Sequence, residues 1–391
     1  MANEFHSSTH PQLPPTTEDE KLSWLRLLRS KRVGISTFFR LLGEHGSARE
    51  ALGALPHVAA EAGIRDYTAC SEETAIGELR AGVRLGARLV ALGEADYPIA
   101  LHDLEDAPPL LWIKGNGDAL TRAMVAIVGA RNASSLGLRM AKSLARDLSE
   151  RGVVIVSGLA RGIDTVAHKA SAEAGTIAVM AGGVDVVYPR ENAQLAEEIS
   201  TAGLLLSEQP IGLSPIARHF PRRNRLISGL STGVVVIQAA AKSGSLITAR
   251  NALDQGREVL AVPGHPFDAR ASGCNMLIRD GARLVRNGDD VMEALSPIAP
   301  DAPMAQSEMP LASPTEAAPA PPPPEQRSLR ETAALHQMIL NRLGPSPVAE
   351  DQLIRDLGSP ANSVAPVLLD LELQGRVARQ AGGLLSLRER K

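Results

Sequence analysis

Short apolar runs alternate with amphipathic runs between residues 124 and 295, and turns rich in glycine and serine separate them. The short runs are rich in β-branched residues and apolar on both faces, as in a parallel sheet that helices cover on both sides. The pattern therefore predicts an α/β fold with a doubly wound parallel sheet. We predict strands near 125–129, 153–157, 176–181, 204–207, 233–238, 258–262 and 283–285. Helices are predicted at 135–151, 162–174, 191–202, 245–256 and 273–280.

The N-terminal part of the chain has a different, helical pattern. Residues 1–17 are polar and carry prolines, so we predict a disordered tail there. Residues 18–95 form a predicted helical domain, whose short helices are joined by turns that contain glycine. The turn at Gly34 and Ser36 resembles a helix–hairpin–helix, which indicates a contact with DNA backbone or protein. Simple packing of small helices explains the same pattern, so both interpretations stay open.

Three further segments follow the helical domain. Residues 96–296 contain the predicted sheet domain, in which LLWIKG (110–115) is predicted to be a short edge strand. Residues 297–328 include ten prolines and seven alanines among 32 residues, which predicts an extended linker. Residues 329–391 give three helices and a two-stranded wing, the pattern of a winged helix. Because its third helix, about 360–374, contains no Arg or Lys, we favour a protein contact over sequence-specific DNA binding.

Composition limits the class of protein. The net charge is −3, which does not indicate a general polyanion binder, although a local basic patch is sufficient for one. The N-terminus lacks the regions of a signal peptide, and no apolar run reaches the roughly 18 residues of a membrane span. Cys70 and Cys274 match no metal or redox motif. We therefore expect a cytoplasmic protein with reduced thiols, no membrane segment and no metal.

Small and basic residues gather directly after the predicted strands, where open α/β sheets bind their ligands. The first such turn, VGARNASSLG (128–137), leads into a helix whose N-terminal N–H groups suit a phosphate, and Arg131 adds a positive charge. The turn is neither GxGxxG nor a Walker A sequence, and Ser157 stands where a dinucleotide site would have an acidic residue. We therefore expect no dinucleotide site and no cofactor.

The densest positive charge of the chain lies in residues 218–231. The candidate binding residues there are Arg222, Arg223, Asn224 and Arg225. Arginine at a helix N-terminus opposes the helix dipole, so this placement favours an anion site, although a solvated charged turn has the same pattern. Phe220 in the same segment offers a face on which a base can stack.

A second anion cradle follows the predicted strand at 233–238. Its candidate binding residues are Lys242, Gly244 and Ser245. Lysine beside a Gly/Ser helix start again suits a phosphate. Several cradles at one edge of the sheet, with no triphosphate motif, favour a chain of phosphates over a single nucleotide.

Asp164 and His168 stand four residues apart, on one face of a predicted helix. An acid–base pair at this spacing would indicate catalysis. Since the pattern provides no third partner and no metal ligand, we favour a structural interpretation. In that interpretation Asp164 caps the helix and His168 forms a hydrogen bond to Asp164.

Five segments together resemble the DprA/Smf family of bacterial DNA-processing proteins. They are VGARNAS (128–134), SGLARGID (157–164), GGVDVVYPREN (182–192), HFPRRNRLISGLS (219–231) and SGSLITARNALDQGR (243–257). The resemblance covers about residues 20–295 and implies a SAM-like helical domain and an extended Rossmann-like fold that forms a homodimer. It also implies binding of single-stranded DNA and its delivery to the recombinase RecA during natural transformation, without catalytic activity. By motif position, the implied DNA-binding residues are Arg131, Arg190, the Arg222–Arg225 run, Lys242, Gly244 and Ser245.

The second interpretation is an enzyme that hydrolyses a nucleotide monophosphate. The predicted fold also resembles the lysine-decarboxylase-like phosphoribohydrolases, whose PGGxGTxxE loop carries a catalytic glutamate. The corresponding residues 243–252 (SGSLITARNA) contain no glutamate. The missing carboxylate argues against hydrolysis.

Overall fold

The computed structural model describes residues 14–295, 329–343, 348–357, 364, 367–368, 371–372, 376–380 and 384–387. The backbone divides into two compact units, Met1–Ala302 and Pro303–Lys391. The predicted linker at 297–328 and residues 1–13 of the predicted tail lie outside the described residues.

The first unit begins with four helices: α1 (Glu18–Arg29), α2 (Ile35–His45), α3 (Ala48–Glu61) and α4 (Glu72–Arg84). Thr17, which we predicted to belong to the tail, instead caps α1 through a capping box with Glu20. α2 begins at Gly34, which has no side chain to cap the helix. The apolar faces of these helices pack around Trp24 and Phe38, whose rings meet edge to face at 5.2 Å.

Nine strands form one sheet in the order β1-β2-β6-β5-β4-β3-β7-β8-β9. They are β1 (Ala87–Ala91), β2 (Leu110–Gly115), β3 (Met124–Gly129), β4 (Val154–Ser157), β5 (Thr176–Val179), β6 (Leu204–Ser207), β7 (Gly233–Ile237), β8 (Glu258–Ala261) and β9 (Arg283–Leu284). The strands from β3 to β9 pair in parallel, which confirms the predicted α/β class. β1 and β2 run antiparallel to their neighbours.

The prediction of an edge strand at 110–115 was wrong. β2 lies between β1 and β6, and β1 forms the edge of the sheet. The physical reason is the apolar character of β2 on both faces, since Leu111 and Trp112 point in opposite directions and are both buried. An edge strand would leave part of this surface in water.

Helices cover both faces of the sheet. They are α5 (Ile99–His102), α6 (Ser135–Glu150), α7 (Ile163–Ser171), α8 (Ala193–Ala202), α9 (His219–Leu230), α10 (Ser245–Asp254), α11 (Ser272–Arg279) and α12 (Gly288–Leu295). Alternate residues of β3 enter two separate cores, with Val125 and Ile127 in one and Ala126 and Val128 in the other. This alternation is what a strand buried on both faces produces. Within the described ranges, no helix is long and apolar enough to cross a membrane.

Helix α4 attaches the helical domain to the sheet through Trp112. The indole of Trp112 donates a 2.8 Å hydrogen bond to Glu78, which also pairs with Arg29 at 2.9 Å. Gly82 lies directly against the indole, where a Cβ atom would be 2.2 Å from a ring carbon. The two parts therefore share one continuous core, which runs from Trp24 to β8.

The second unit is a small winged helix. Its elements are α13 (Leu329–Arg342), β10 (Val348–Ala349), α14 (Glu350–Leu357), β11 (Val377–Gln380) and β12 (Leu384–Leu387). The three strands form an antiparallel sheet in the order β10-β12-β11. Its core includes Ile339, Leu353, Leu368 and Leu385. Most of the predicted third helix, about 360–374, lies outside the described residues.

The contact between Gly82 and Trp112 generates a stability prediction. Gly82→Ala should destabilise the protein by about 1–3 kcal/mol, because the added methyl group overpacks a filled core. Gly77→Ala is the matched control, since Gly77 lies on the same helix with no atom near its Cβ position. The control should gain up to about 1 kcal/mol from helix propensity. Thermal or urea unfolding of both variants checks this, and equal stability would contradict the packing of α4 on the sheet.

Candidate nucleic-acid interface

A cavity of about 710 Å³ opens at the carboxyl ends of β3 and β7. We call it the central cavity. Its walls are the loop after β3, the start of α9, the loop between β7 and α10, and Arg270 from the loop after β8. Its charged lining residues are Arg131, Arg223, Lys242, Arg270 and Asp164. Asp268 pairs with Arg270 at 3.2 Å and Arg223 is buried, so Arg131 and Lys242 supply the free positive charge of this surface, which suits an anionic ligand.

The loop after β3 carries Arg131 and is held by close backbone contacts. A Cβ atom at Gly129 would lie 1.9 Å from the carbonyl oxygen of Ile237, so only glycine fits there. The Gln238 side chain then fixes the start of α6, because it accepts a bond from the Ser134 backbone N–H at 2.8 Å and donates to its hydroxyl at 2.6 Å. These contacts fix the loop, and Arg131 extends from it into solvent.

The opposite wall is formed by residues 242–245 and the first turn of α10. Gly244 is the N-cap and provides no side-chain hydrogen bond, and the Ser243 and Ser245 hydroxyls lie 2.8 Å apart. Lys242 is exposed and forms no ion pair among the residues that the structure describes. The three predicted residues of this cradle therefore line the same cavity as Arg131.

Phe220 lines the central cavity on the α9 side, and Tyr188 lies next to it outside the lining. The guanidinium of Arg131 lies over the Phe220 ring, 5.3 Å from its centroid, as a cation–π pair. Tyr188 packs against Phe220 at 5.7 Å and is itself 54% exposed. Sequence reasoning proposed Phe220 as a stacking surface but missed Tyr188, because it lies 32 residues away in a loop that only the fold brings close.

Arg223 lines the central cavity but is buried, and its guanidinium is bound by the protein itself. Its predicted direct contact with a ligand stays a prediction. Its Nη1 donates to the carbonyl oxygen of Gly158 at 2.6 Å and to that of Val179. Burial lowers the pKa of Arg223 to about 10, and the nearby carboxylate of Asp164 opposes that shift. A Cβ atom at Gly158 would lie 2.5 Å from the guanidinium, so a larger residue there would force Arg223 to move.

The structure corrects the predicted contact between Asp164 and His168. The Asp164 carboxylate accepts bonds from the backbone N–H groups of Gly158 and Ala160 at 3.1 and 3.3 Å. It therefore holds the loop before α7 and does not cap the helix as predicted, since the N-cap is Gly162 and has no side-chain bond. His168, however, contacts the hydroxyl of Thr176 at 2.9 Å. Burial lowers the pKa of His168 to about 3, so the imidazole is neutral at physiological pH. His168 does not line the central cavity, whereas Asp164 lines it with its carboxylate bound to backbone N–H groups.

The run from Arg222 to Arg225 divides between two faces of α9, which the sequence did not predict. Asn224 faces the central cavity, where its amide lies 3.4 Å from the Gly244 carbonyl oxygen. Arg225 is buried on the other side, where it pairs with Glu208 and lies 3.1 Å from Asp106. Burial raises the pKa of Glu208, and the charge of Arg225 opposes that shift. Arg222 is exposed beside Arg225 and does not line the central cavity.

Arg190 lies apart from the central cavity. It is exposed in a short 3-10 helix (Arg190–Asn192), two residues after Tyr188. Its neighbour Glu191 forms an exposed ion pair with Arg161 at 2.7 Å.

Sequence reasoning missed Arg270 in the cavity wall, although the glycine-containing turn after β8 indicated the correct edge of the sheet.

Comparisons with known proteins agree with this architecture. The family described as DNA recombination-mediator protein A matches residues 88–296, its DprA-like N-terminal HHH domain matches 18–81 and its winged helix domain matches 316–383. The chain is similar to DNA processing protein DprA of Bacillus subtilis, with 46% identity over 213 residues, which cover 54% of this chain and 72% of that protein. It is also similar to Protein Smf of Escherichia coli, with 40% identity over 298 residues and 75% of each chain covered.

A solved structure provides a third comparison. The X-ray structure of DNA processing protein A from Streptococcus pneumoniae is 35% identical and matches with a TM-score of 0.59. The match covers 69% of this chain and 97% of that one. One family match spans more than half of the chain, and the match to the Escherichia coli relative covers three quarters of it. The chain therefore belongs to the DprA/Smf family of DNA recombination-mediator proteins.

Proposed function

We propose that this protein binds single-stranded DNA in the central cavity and delivers it to the recombinase RecA in the cytoplasm, during DNA uptake and recombination. The observation that carries the proposal is the pairing of Arg131 and Lys242 on opposite walls of one cavity. Both are exposed and form no ion pair among the described residues, so their charges are available to phosphates. The family description as a recombination mediator supports the same function.

Aromatic rings beside the cations favour a single strand. Phe220 and Tyr188 offer ring faces next to Arg131, and stacking on such faces requires bases that are not already paired in a duplex. The proposed DNA contacts are Arg131, Asn224, Lys242, Gly244 and Ser245, with Arg270 added. Arg223 is proposed to position the site from beneath.

We propose that the protein is not an enzyme. The one carboxylate that lines the central cavity, Asp164, is buried and accepts two backbone hydrogen bonds. The α10 segment that corresponds to the glutamate loop of phosphoribohydrolases contains no acidic residue before Asp254. A hydrolase of that type needs a carboxylate that is free to act on the substrate, whereas Asp164 is held by two backbone N–H groups and the α10 segment offers no other.

The homodimer and the RecA contact are part of the proposal. β9 is an open edge of the sheet with only two residues, and Leu284 on it is 44% exposed. Leu253 and Met276, on α10 and α11, are also exposed apolar residues. An open strand edge that carries an exposed apolar side chain, together with exposed apolar residues on α10 and α11, supports pairing with a second copy. Sedimentation of the intact chain tests the dimer, and strand exchange by RecA with and without this protein tests delivery.

The first functional prediction concerns the two exposed cations. Arg131→Ala and Lys242→Ala should each weaken binding of single-stranded DNA by about 1–3 kcal/mol, which is roughly 5- to 150-fold in Kd. The slope of log affinity against log salt concentration should become smaller by about 0.7 for each phosphate that the variant no longer neutralises. Thermal unfolding should change little because both side chains are exposed. Arg84→Ala, an exposed arginine on α4, is the control. Wild-type affinity in both variants would remove the central cavity as the DNA site.

The second functional prediction separates Arg225 from those contacts. Arg225→Ala should cost about 3–5 kcal/mol of stability, because it leaves the buried carboxylate of Glu208 without its partner. The double variant Arg225→Met/Glu208→Leu should recover most of this loss, since the buried charges are then removed together. Thermal unfolding measures both. Reduced DNA affinity at unchanged stability would instead support the direct DNA contact predicted from the sequence.

The third functional prediction tests the absence of catalysis. Incubation of the protein with adenosine monophosphate should release no adenine above the background of a protein-free control. Chromatography of the reaction mixture measures the free base. Release of adenine that disappears in an Asp164→Asn variant would support the phosphoribohydrolase interpretation instead.

A further inference from the structure

Helix α9 presents basic side chains to a second concave surface, separate from the central cavity. Arg222 and Arg225 stand three residues apart, on the same helix face, and both line a groove of about 590 Å³. The opposite side of the groove is residues 32–37, which are the end of the turn between α1 and α2 and the first residues of α2. We call this surface the α2 groove. No lining residue of the central cavity belongs to it.

Two of the arginines that line the α2 groove form no ion pair among the described residues. Four arginines and two carboxylates line it. Arg225 binds both carboxylates, Glu208 and Asp106, and Arg29 is held by Glu78 at 2.9 Å. Arg32 and Arg222 are exposed and form no ion pair among the described residues. The groove is therefore positive, and these two side chains supply its free charge.

The start of α2 adds uncompensated N–H donors to the same groove. Gly34 is the N-cap and provides no side chain, so the first N–H groups of the helix, Ile35 to Thr37, have no acceptor among the described residues. α2 is eleven residues long, and the positive end of its dipole lies at this point. Backbone donors and a helix dipole are the features with which proteins bind phosphate.

An independent observation in the groove also indicates an anionic ligand. The Nη1 atom of Arg225 is buried and has no hydrogen-bond partner among the described residues, although the other nitrogens of that guanidinium contact Glu208 and Asp106. Arg225 as a whole is 9% exposed and lines the groove. A buried charged donor without an acceptor is unfavourable. An oxygen atom of a phosphate in the groove would provide the acceptor once the guanidinium turns outward, since the atom itself is covered in the geometry described.

We propose that the α2 groove is a second phosphate-binding site, which holds the DNA strand where it leaves the central cavity. The proposal rests on the proposed function and extends the path of the same strand. Arg222 and Asn224 lie in one turn of α9 but face the groove and the cavity respectively. The strand therefore has to cross only the width of one helix, about 10 Å. The turn between α1 and α2 also belongs to the matched helix–hairpin–helix domain, which favours DNA backbone over an acidic peptide.

Three single variants of the intact protein test the groove. Arg32→Ala and Arg222→Ala each remove one free charge. Ser36→Asp places a carboxylate at the second residue of α2, where it repels phosphate but interacts favourably with the helix dipole. The Ser36→Asp variant should therefore keep or raise its melting temperature. If it does, a loss of DNA binding cannot be explained by a folding defect. Arg84→Ala, an exposed arginine of the helical domain outside the groove, is the matched control.

The measurement is the affinity for oligo-dT from about 4 to about 16 nucleotides, the span of site sizes in single-strand binding modules. All three groove variants should bind the longest oligonucleotide at least about fivefold more weakly than the wild type. The groove variants should bind the shortest oligonucleotide as tightly as the wild type does. For the longest oligonucleotide, each arginine variant should reduce the slope of log affinity against log salt concentration by about 0.7. Arg131→Ala should lose affinity at every length.

The outcomes distinguish this proposal from the proposed function. Wild-type affinity of the groove variants at every length, with a loss in Arg131→Ala, would overturn the groove alone. An equal loss at all lengths would also overturn it, because the groove would then not be an extension. Oligoglutamate binding that the groove variants weaken, without any effect on oligo-dT, would assign the groove to an acidic peptide. Wild-type affinity of Arg131→Ala and Lys242→Ala would overturn both proposals.

Discussion

The geometry of the candidate site depends on the buried guanidinium of Arg223. It reaches from the second turn of α9 to the carbonyl oxygens of Gly158 and Val179, at the ends of β4 and β5. Removing a charge from water is costly unless hydrogen bonds and an opposite charge compensate, and these carbonyls and Asp164 do so. This contact fixes the rotation of α9 about its own axis. That rotation decides which of its other side chains face the central cavity and which face the α2 groove.

Sequence reasoning predicted the parts of the fold that local pattern determines. The seven parallel strands follow from apolar runs such as 125–129 and 233–238, because a strand buried on both faces has to be apolar throughout. The turns around Gly129 and Lys242 were placed correctly at one edge of the sheet, because parallel strands bring their carboxyl ends together.

The features that could not be predicted from the sequence depend on contacts between distant segments. β2 is an interior strand, and its Trp112 packs in the space that Gly82 on α4 leaves. The arginines of α9 appeared equivalent in the sequence, whereas burial beside Glu208 separates Arg225 from the exposed Arg222. Charge density identifies a surface as basic, but it does not say which charges are already neutralised inside the protein.

The position of Arg131 over the Phe220 ring makes the guanidinium and a nucleobase competitors for one surface. A base that stacks there has to displace the guanidinium. The binding free energy therefore gains only the difference between the base–ring contact and the cation–π contact that it replaces. In the proposed complex the displaced guanidinium would turn towards a phosphate, so one exchange would couple recognition of the base to recognition of the backbone. Because every base has an aromatic face, such an exchange admits any sequence, and it penalises an abasic strand that carries the same charge.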